Sequence, residues 1–244
     1  MLNKWIKYEC IRKNPRIRLF CLPYAGGNAM FYSKWSNNFS EDIEVYPVQL
    51  PGRENRIGEH AISEINELCD SIIYAIKPYL DIPFAIFGHS MGGIVSFELA
   101  RKLAVKNMPL PKIIFISATV PPHILEKCEK TYNLSEKEFL KRLVGYDNIN
   151  TEMFKFKEFY EYFLPTLRAD FKVVETYKAA KEKLSCPIVV CGGNNDSFVP
   201  VEFLKEWNKY SEKEVQIKIF EGNHFYISNN VKELCSSIIQ KNLD

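Results

Sequence analysis

The chain reads as an α/β protein built on a mainly parallel sheet flanked by helices, and three observations carry that reading. Short apolar, β-favouring runs alternate along the 244 residues with longer amphipathic ones, the order that lays parallel strands beside crossover helices. One such run, Phe84-Ala85-Ile86-Phe87, passes directly into Gly88-His89-Ser90-Met91-Gly92 and then into a helical pattern. A hydrophobic content of 46% is ample for a substantial core in one larger domain spanning residues 1–244.

The first strand is read at Ile17 to Leu22 and the second at Val45 to Leu50. A helix follows over Ile62 to Leu80, where Ile65, Leu68, Ile72, Ile76 and Leu80 recur at helical spacing. Ser63, with Asn66 and Glu67 close behind, marks its start. Phe84 to Phe87 is the third strand and Ile94 to Leu103 the next helix; strands at Ile113 to Ser117, Ile188 to Cys191 and Val215 to Phe220 complete the sheet. Val231 to Leu243 closes the chain as a helix packed on it.

One stretch breaks the alternation. Val120 to Leu184 holds no convincing strand, begins with Pro121-Pro122 and reads as several helices, an insertion at about 120–184. Phe154, Phe156, Phe159, Tyr160, Tyr162, Phe163 and Phe171 are more aromatic surface than a connection needs. Part of it is core of the insertion, and the remainder suits a lid over an acyl-binding cleft.

Charge and cysteine usage narrow the class. The 32 basic and 30 acidic residues are scattered, with no basic stripe for nucleic acid. The longest apolar runs are far too short to span a bilayer, and Met1 to Tyr8 lacks the apolar stretch of a secretory leader. A soluble, cytoplasmic protein without nucleic-acid or membrane partners is expected. Cys10, Cys21, Cys69, Cys128, Cys186, Cys191 and Cys235 are odd in number and form no C-x-x-C pair, which reads as reduced cysteines lying mostly in the core.

Strand, G-x-S-x-G and helix in that order make a nucleophile elbow, a turn so sharp that only glycine fits on either side of the serine. A serine hydroxyl needs a base to take its proton and an acidic residue to orient that base. In hydrolases with this elbow the chain order is Ser, then Asp or Glu, then His. Of the four histidines, His224 lies just after the strand ending at Phe220, where a base would stand at the carboxyl edge of the sheet. His89 is read as packing, and His60 and His123 as surface or structural residues.

For the carboxylate, Asp196 follows Gly192-Gly193-Asn194-Asn195 at another strand end, while its competitor Asp170 lies on a helix of the insertion. Asp196 is also placed to cap a helix beginning near Val199-Pro200. Negative charge on an acyl oxygen needs two donors. These are assigned to the backbone amides of Met91, after the nucleophile, and Ala25, in the small-residue loop Pro23-Tyr24-Ala25-Gly26-Gly27.

These motifs resemble the stand-alone type II thioesterases that accompany nonribosomal peptide and polyketide synthases. The likeness covers nearly the whole chain and rests on Leu22-Pro23-Tyr24-Ala25-Gly26-Gly27, Leu50-Pro51-Gly52-Arg53-Glu54-Asn55-Arg56, the elbow, Pro165-Thr166-Leu167-Arg168-Ala169-Asp170-Phe171 and Gly222-Asn223-His224-Phe225. The P-G-R-E-x-R and L-R-A-D segments set this group apart from generic esterases and lipases. The resemblance implies an α/β-hydrolase fold with a helical lid and a triad at Ser90, Asp196 and His224, with Asp196 matching the family's G-x-x-D turn. It implies an acyl thioester on the 4'-phosphopantetheine arm of an acyl or peptidyl carrier protein, with no metal and no bound cofactor.

Editing of misprimed or stalled synthases is the expected role, by a protein that acts as a monomer. A chain-releasing medium-chain thioesterase, a generic carboxylesterase and a non-catalytic carrier-binding protein are the alternatives. Arg53, Arg56 and Arg168 are read as structural residues rather than contacts to the arm's phosphate, with Arg168 and Asp170 as one conceivable pair tying the lid down.

Overall fold

Six parallel strands form one sheet in the order β2-β1-β3-β4-β5-β6. They are β1 (Ile17–Leu22), β2 (Ile43–Pro47), β3 (Phe84–His89), β4 (Ile114–Ser117), β5 (Ile188–Gly193) and β6 (Gln216–Phe220). The structure, a computed structural model, describes residues 3–7, 11–144, 151–179 and 182–243. Cys10 and residues 145–150 and 180–181 of the expected insertion lie outside the described residues.

Side chains alternate across a strand, so a sheet covered on both faces feeds two cores. Phe20 and Leu22 of β1 enter one core and Leu19 and Cys21 the other; β3 separates Ile86 from Ala85 and Phe87 in the same way. The first core is closed by α1 (Ile65–Ile76) and α2 (Met91–Val105), together with Leu204 and Trp207. Burying the α1 stripe of Ile65, Leu68, Ile72, Ile73 and Ile76 contributes about 1.5–3 kcal/mol per side chain. The second core is closed by Tyr32, Trp35 and the C-terminal helical run, where α6 (Val231–Glu233), a π-helical stretch (Leu234–Gln240) and α7 (Lys241–Leu243) follow one another. Edge strand β6 leaves Gln216 to Ile219 exposed, and Lys218 among them discourages edge-to-edge pairing.

Several boundaries differ from the sequence reading; the helix expected over 62–80 is α1 at Ile65–Ile76 followed by a 3-10 turn at Lys77–Tyr79. The second strand lies at Ile43–Pro47, not at 45–50. Val48 instead makes an isolated antiparallel bridge to Ile6, and it and Leu50 are buried as loop residues. Helix α2 starts at Met91, through Gly92 and Gly93, three residues before the expected Ile94. Ser63 does not cap α1: Glu64 is the N-cap residue, without a side-chain cap bond, and the Ser63 hydroxyl accepts from Lys172 Nζ at 3.4 Å.

Between β4 and β5 the chain forms α3 (Pro122–Leu125), α4 (Glu136–Leu143), a 3-10 stretch (Thr151–Lys155), a π-helical turn (Phe159–Phe163) and α5 (Leu164–Glu175). Helix α4 opens with a reciprocal capping box between Ser135 and Glu138. Phe139, Leu143, Phe159, Leu164 and Leu167 form a separate small core. Helix α5 is tied to the body along its length: Thr166 Oγ1 donates to Gly52 O, Asp170 meets Arg53, Lys172 meets Glu64, and just beyond it Tyr177 donates to Glu98.

Cys21, Cys69, Cys186, Cys191 and Cys235 are buried free thiols, whereas Cys128 is exposed. Burial pushes the Cys186 thiol up to about 11 and Cys191 to about 12. No helix among the described residues is long and apolar enough to cross a membrane.

Candidate active site

Ser90 stands on the corner between β3 and α2 with φ 53° and ψ −115°, a conformation that costs a non-glycine residue about 1–3 kcal/mol and persists where surrounding structure enforces it. Its amide donates to Ser117 O at 2.7 Å and its carbonyl accepts from Gly93 N at 2.9 Å. The flanking glycines are sterically obligatory. A Cβ on Gly88 would lie 1.9 Å from Gly92 O, and one on Gly92 would lie 2.3 Å from Leu22 O.

The structure brings His224 and Asp196 to this corner. His224 Nε2 is 3.1 Å from Ser90 Oγ, and His224 Nδ1 is 2.8 Å from Asp196 Oδ2. Both side chains are buried. The second oxygen of Asp196 accepts from Phe198 N at 2.9 Å and Val199 N at 3.0 Å. A carboxylate so occupied faces Nδ1 as an acceptor, which places the ring proton on Nδ1 and leaves the Nε2 lone pair toward Ser90. Asp196 does not cap the helix that follows: the 3-10 helix Val201–Tyr210 has Pro200 as its N-cap residue and no side-chain cap bond. The carboxylate shapes the preceding turn instead.

The competing residues fall elsewhere. Asp170 is buried against Arg53. Arg168 makes no pair with it, donating instead to Tyr132 O and Leu134 O while its guanidinium lies over the Phe139 ring. Arg56 chelates Glu59, donates to Gln49 O and stacks on Trp5. His60 is exposed, and His123 stacks on Tyr210. His89 is packed as expected, its ring centroid 5.3 Å from that of His224. It also carries a polar link the sequence reading missed: Nδ1 is 2.8 Å from Ser117 Oγ, itself 2.6 Å from Tyr226 OH. Burial lowers the His89 pKa well below the ordinary 6.5, so the ring is neutral.

Tyr24 to Gly27 form a tight turn. Gly27 N donates to Tyr24 O at 2.8 Å and Gly26 takes φ 73°, the pattern of a type II turn with Ala25 at its second position. The amides of Ala25 and Met91 meet no protein acceptor among the described residues. Both residues line the same cleft as Ser90 and His224.

That cleft has a volume of about 350 Å³ and is walled by Val120, Leu125, Leu143, Leu167, Phe171 and Val174. Of the seven aromatic residues of the insertion named from sequence, only Phe171 lines it. Phe156, Phe159, Tyr162 and Phe163 line a second cavity of about 300 Å³ beside Gly26. Aliphatic side chains thus do most of the work expected of aromatic ones. Among the described residues no group of three or more His, Cys, Asp or Glu is placed to hold a metal ion.

The model of the thioesterase domain family matches residues 17–242. The chain is 34% identical over 234 residues to the Gramicidin S biosynthesis protein GrsT of Aneurinibacillus migulanus, covering 96% of this chain and 91% of that protein. It is 31% identical over 234 residues to the medium-chain S-acyl fatty acid synthase thioesterase of Homo sapiens, covering 93% and 87%. The solved structure of the type II thioesterase BorB from the borrelidin biosynthetic cluster superposes with a TM-score of 0.84 at 28% identity, covering 98% of this chain and 96% of that one. The parallel sheet with its elbow serine is the α/β-hydrolase arrangement the sequence led us to expect. On a match that runs almost end to end, the chain belongs to the thioesterase domain family.

Proposed function

We propose that this protein hydrolyses acyl thioesters presented on the phosphopantetheine arm of carrier proteins, clearing misprimed or stalled acyl groups from a nonribosomal peptide or polyketide synthase. The observation that carries the reading is the continuous chain Ser90–His224–Asp196, with links of 3.1 and 2.8 Å, opening into an apolar cleft.

In the proposed reaction His224 Nε2 takes the Ser90 proton as Oγ attacks the thioester carbonyl. The oxyanion is held by the Ala25 and Met91 amides, which have no other protein acceptor among the described residues. Collapse expels the thiol, which has a pKa near 8.5 and needs little protonation by His224. Water, activated by His224, then releases the acid from acyl-Ser90. The pantetheine arm arrives with the substrate, and the helical insertion forms the outer wall of the acyl site.

Comparing kcat/KM for one acyl group on a carrier protein, on coenzyme A and as a p-nitrophenyl ester tests this assignment. The carrier thioester should be the best of the three; equal or faster turnover of the oxygen ester would make the protein a carboxylesterase. The cleft, at about 350 Å³, is larger than an acetyl group requires, which favours a second reading, release of a medium-length chain. An acyl series from acetyl to dodecanoyl separates the two, since an editing enzyme turns over the short members well.

A further inference from the structure

The buried carboxylate that competed for the triad is occupied in another way. Asp170 Oδ2 accepts from Gly26 N at 2.7 Å and from Arg53 Nη1 at 2.8 Å, while Oδ1 accepts from Arg53 Nη2 at 2.9 Å. Arg53 Nη1 also donates to Gly27 O at 3.0 Å, and Nε to Pro51 O at 3.2 Å. Arg53 is 7% exposed and Asp170 1%. A guanidinium has five N–H donors, and four are spent here, so Arg53 has almost nothing left to offer a phosphate.

The pair grips the turn that carries Ala25. Asp170 holds the peptide unit immediately after Ala25, and Arg53 holds the carbonyl of Gly27. Helix α5 and the π-helical turn before it reach the turn by packing as well: a Cβ on Gly26 would lie 3.0 Å from Leu167 Cδ1 and 3.1 Å from Phe163 Cζ. A buried ion pair adds little net stability compared with two apolar side chains of similar volume. What the pair supplies that apolar side chains cannot is directed hydrogen bonds to two neighbouring peptide groups.

We propose that Arg53 and Asp170 are positioning residues that fix the Ala25 amide in the oxyanion hole, coupling that half of the hole to the helix that walls the cleft. The inference rests on the reading of Ala25 as an oxyanion donor. A displacement on the order of 1 Å at such a donor costs about 10²-fold in rate, so the pair has leverage without touching substrate.

The test uses Asp170→Asn, Arg53→Lys and the double variant Arg53→Met/Asp170→Leu, which replaces the ion pair with apolar volume and so keeps the fold if the single changes do not. Arg168→Met, which releases lid anchors without touching the turn, serves as a comparator. Each is examined by thermal melting, by kcat and KM on an acetyl-loaded carrier protein, and by the rate at which a fluorophosphonate adds to Ser90 with loss of fluoride. The last readout probes the oxyanion hole without carrier or thioester.

The pair variants should lose about 10²-fold in kcat, with KM within about threefold, and should slow phosphonylation in parallel. Arg168→Met should lower the melting temperature with kcat little changed. A cooperatively melting pair variant that keeps kcat and phosphonylation within about threefold of the parent overturns the proposal. A parent protein inert toward carrier thioesters yet phosphonylated at Ser90 overturns the substrate reading alone, and the phosphonylation comparison then decides the role of the pair.

Discussion

Gly193 and Gly222 meet backbone to backbone: a Cβ on Gly193 would lie 2.4 Å from Gly222 O and 2.6 Å from Asn223 O. The contact is sewn by Asn194 N to Phe220 O at 2.9 Å, Asn195 N to Gly222 O at 3.0 Å and Gly222 N to Asn194 Oδ1 at 3.0 Å. It draws the loop after β5 against the loop after β6, and so sets the 2.8 Å link between Asp196 and His224.

Gly193→Ala should therefore force the two loops apart. Overpacking of this kind costs about 1–3 kcal/mol, and the lengthened Asp196–His224 link should lower kcat by about tenfold or more. Urea unfolding and steady-state kinetics check both effects; a folded variant with undiminished kcat would show that the close approach does not set a catalytically important Asp196–His224 link.

Asp196→Asn keeps an oxygen for the amides of Phe198 and Val199 while removing the carboxylate that orients the Nδ1 proton of His224. The fold should survive with a small change in melting temperature. Activity should fall by about 10³- to 10⁴-fold through the wrong tautomer, measured as kcat on a carrier thioester near pH 7.

His89 gives a pH signature. Burial depresses its folded pKa well below the ordinary 6.5, so below about pH 6.5 the unfolded chain takes up a proton that the folded protein does not. Stability from this group is intact above that pH and declines as pH falls toward the folded value, by at most about 1.4 kcal/mol per pH unit. Urea unfolding at several values between pH 7 and 5 should show a shallower decline for His89→Gln than for the parent; equal slopes would mean that His89 is not held neutral.

Val174 lines the Ser90 cleft from α5. Val174→Phe should fill part of it, raising KM for octanoyl thioesters by about tenfold, the lower end of what one methylene of lost pocket contact costs, with acetyl turnover little changed. Acyl-length profiles of parent and variant provide the comparison, and an unchanged profile would place the acyl chain elsewhere.

Local geometry was the legible part of this molecule. The elbow can be read from spacing because its glycines answer a steric demand within five residues, and the meeting of Asp196 and His224 beside Ser90 can be read because strand ends gather at one edge of a parallel sheet. Local propensity misleads where tertiary packing overrules it. Gly92 and Gly93 look like poor helix residues, yet α2 includes both because Leu22 O and Thr119 crowd against them. Val48 and Leu50 look like strand because they are apolar, yet the sheet ends at Pro47 and they are buried as loop residues.

Long-range pairing was invisible. Arg53 and Asp170 are 117 residues apart, and the two basic residues nearest Asp170 in sequence turn elsewhere, Arg168 to the carbonyls of Tyr132 and Leu134 and Lys172 to Glu64. The aromatic residues of the insertion announced a cavity without saying which. Most line the one beside Gly26, and the cleft at Ser90 is shaped by residues scattered from Tyr24 to Phe225.

The most direct test of the central claim is intact-protein mass spectrometry of an acetyl-loaded phosphopantetheinyl carrier protein incubated with this protein, beside the same incubation with Ser90→Ala. The account predicts that the acetyl mass leaves the carrier only with the unaltered protein. Loss of acetyl at the same rate with Ser90→Ala would contradict a Ser90 nucleophile, and retention of every acyl length tried with the unaltered protein would contradict carrier-thioester hydrolysis itself.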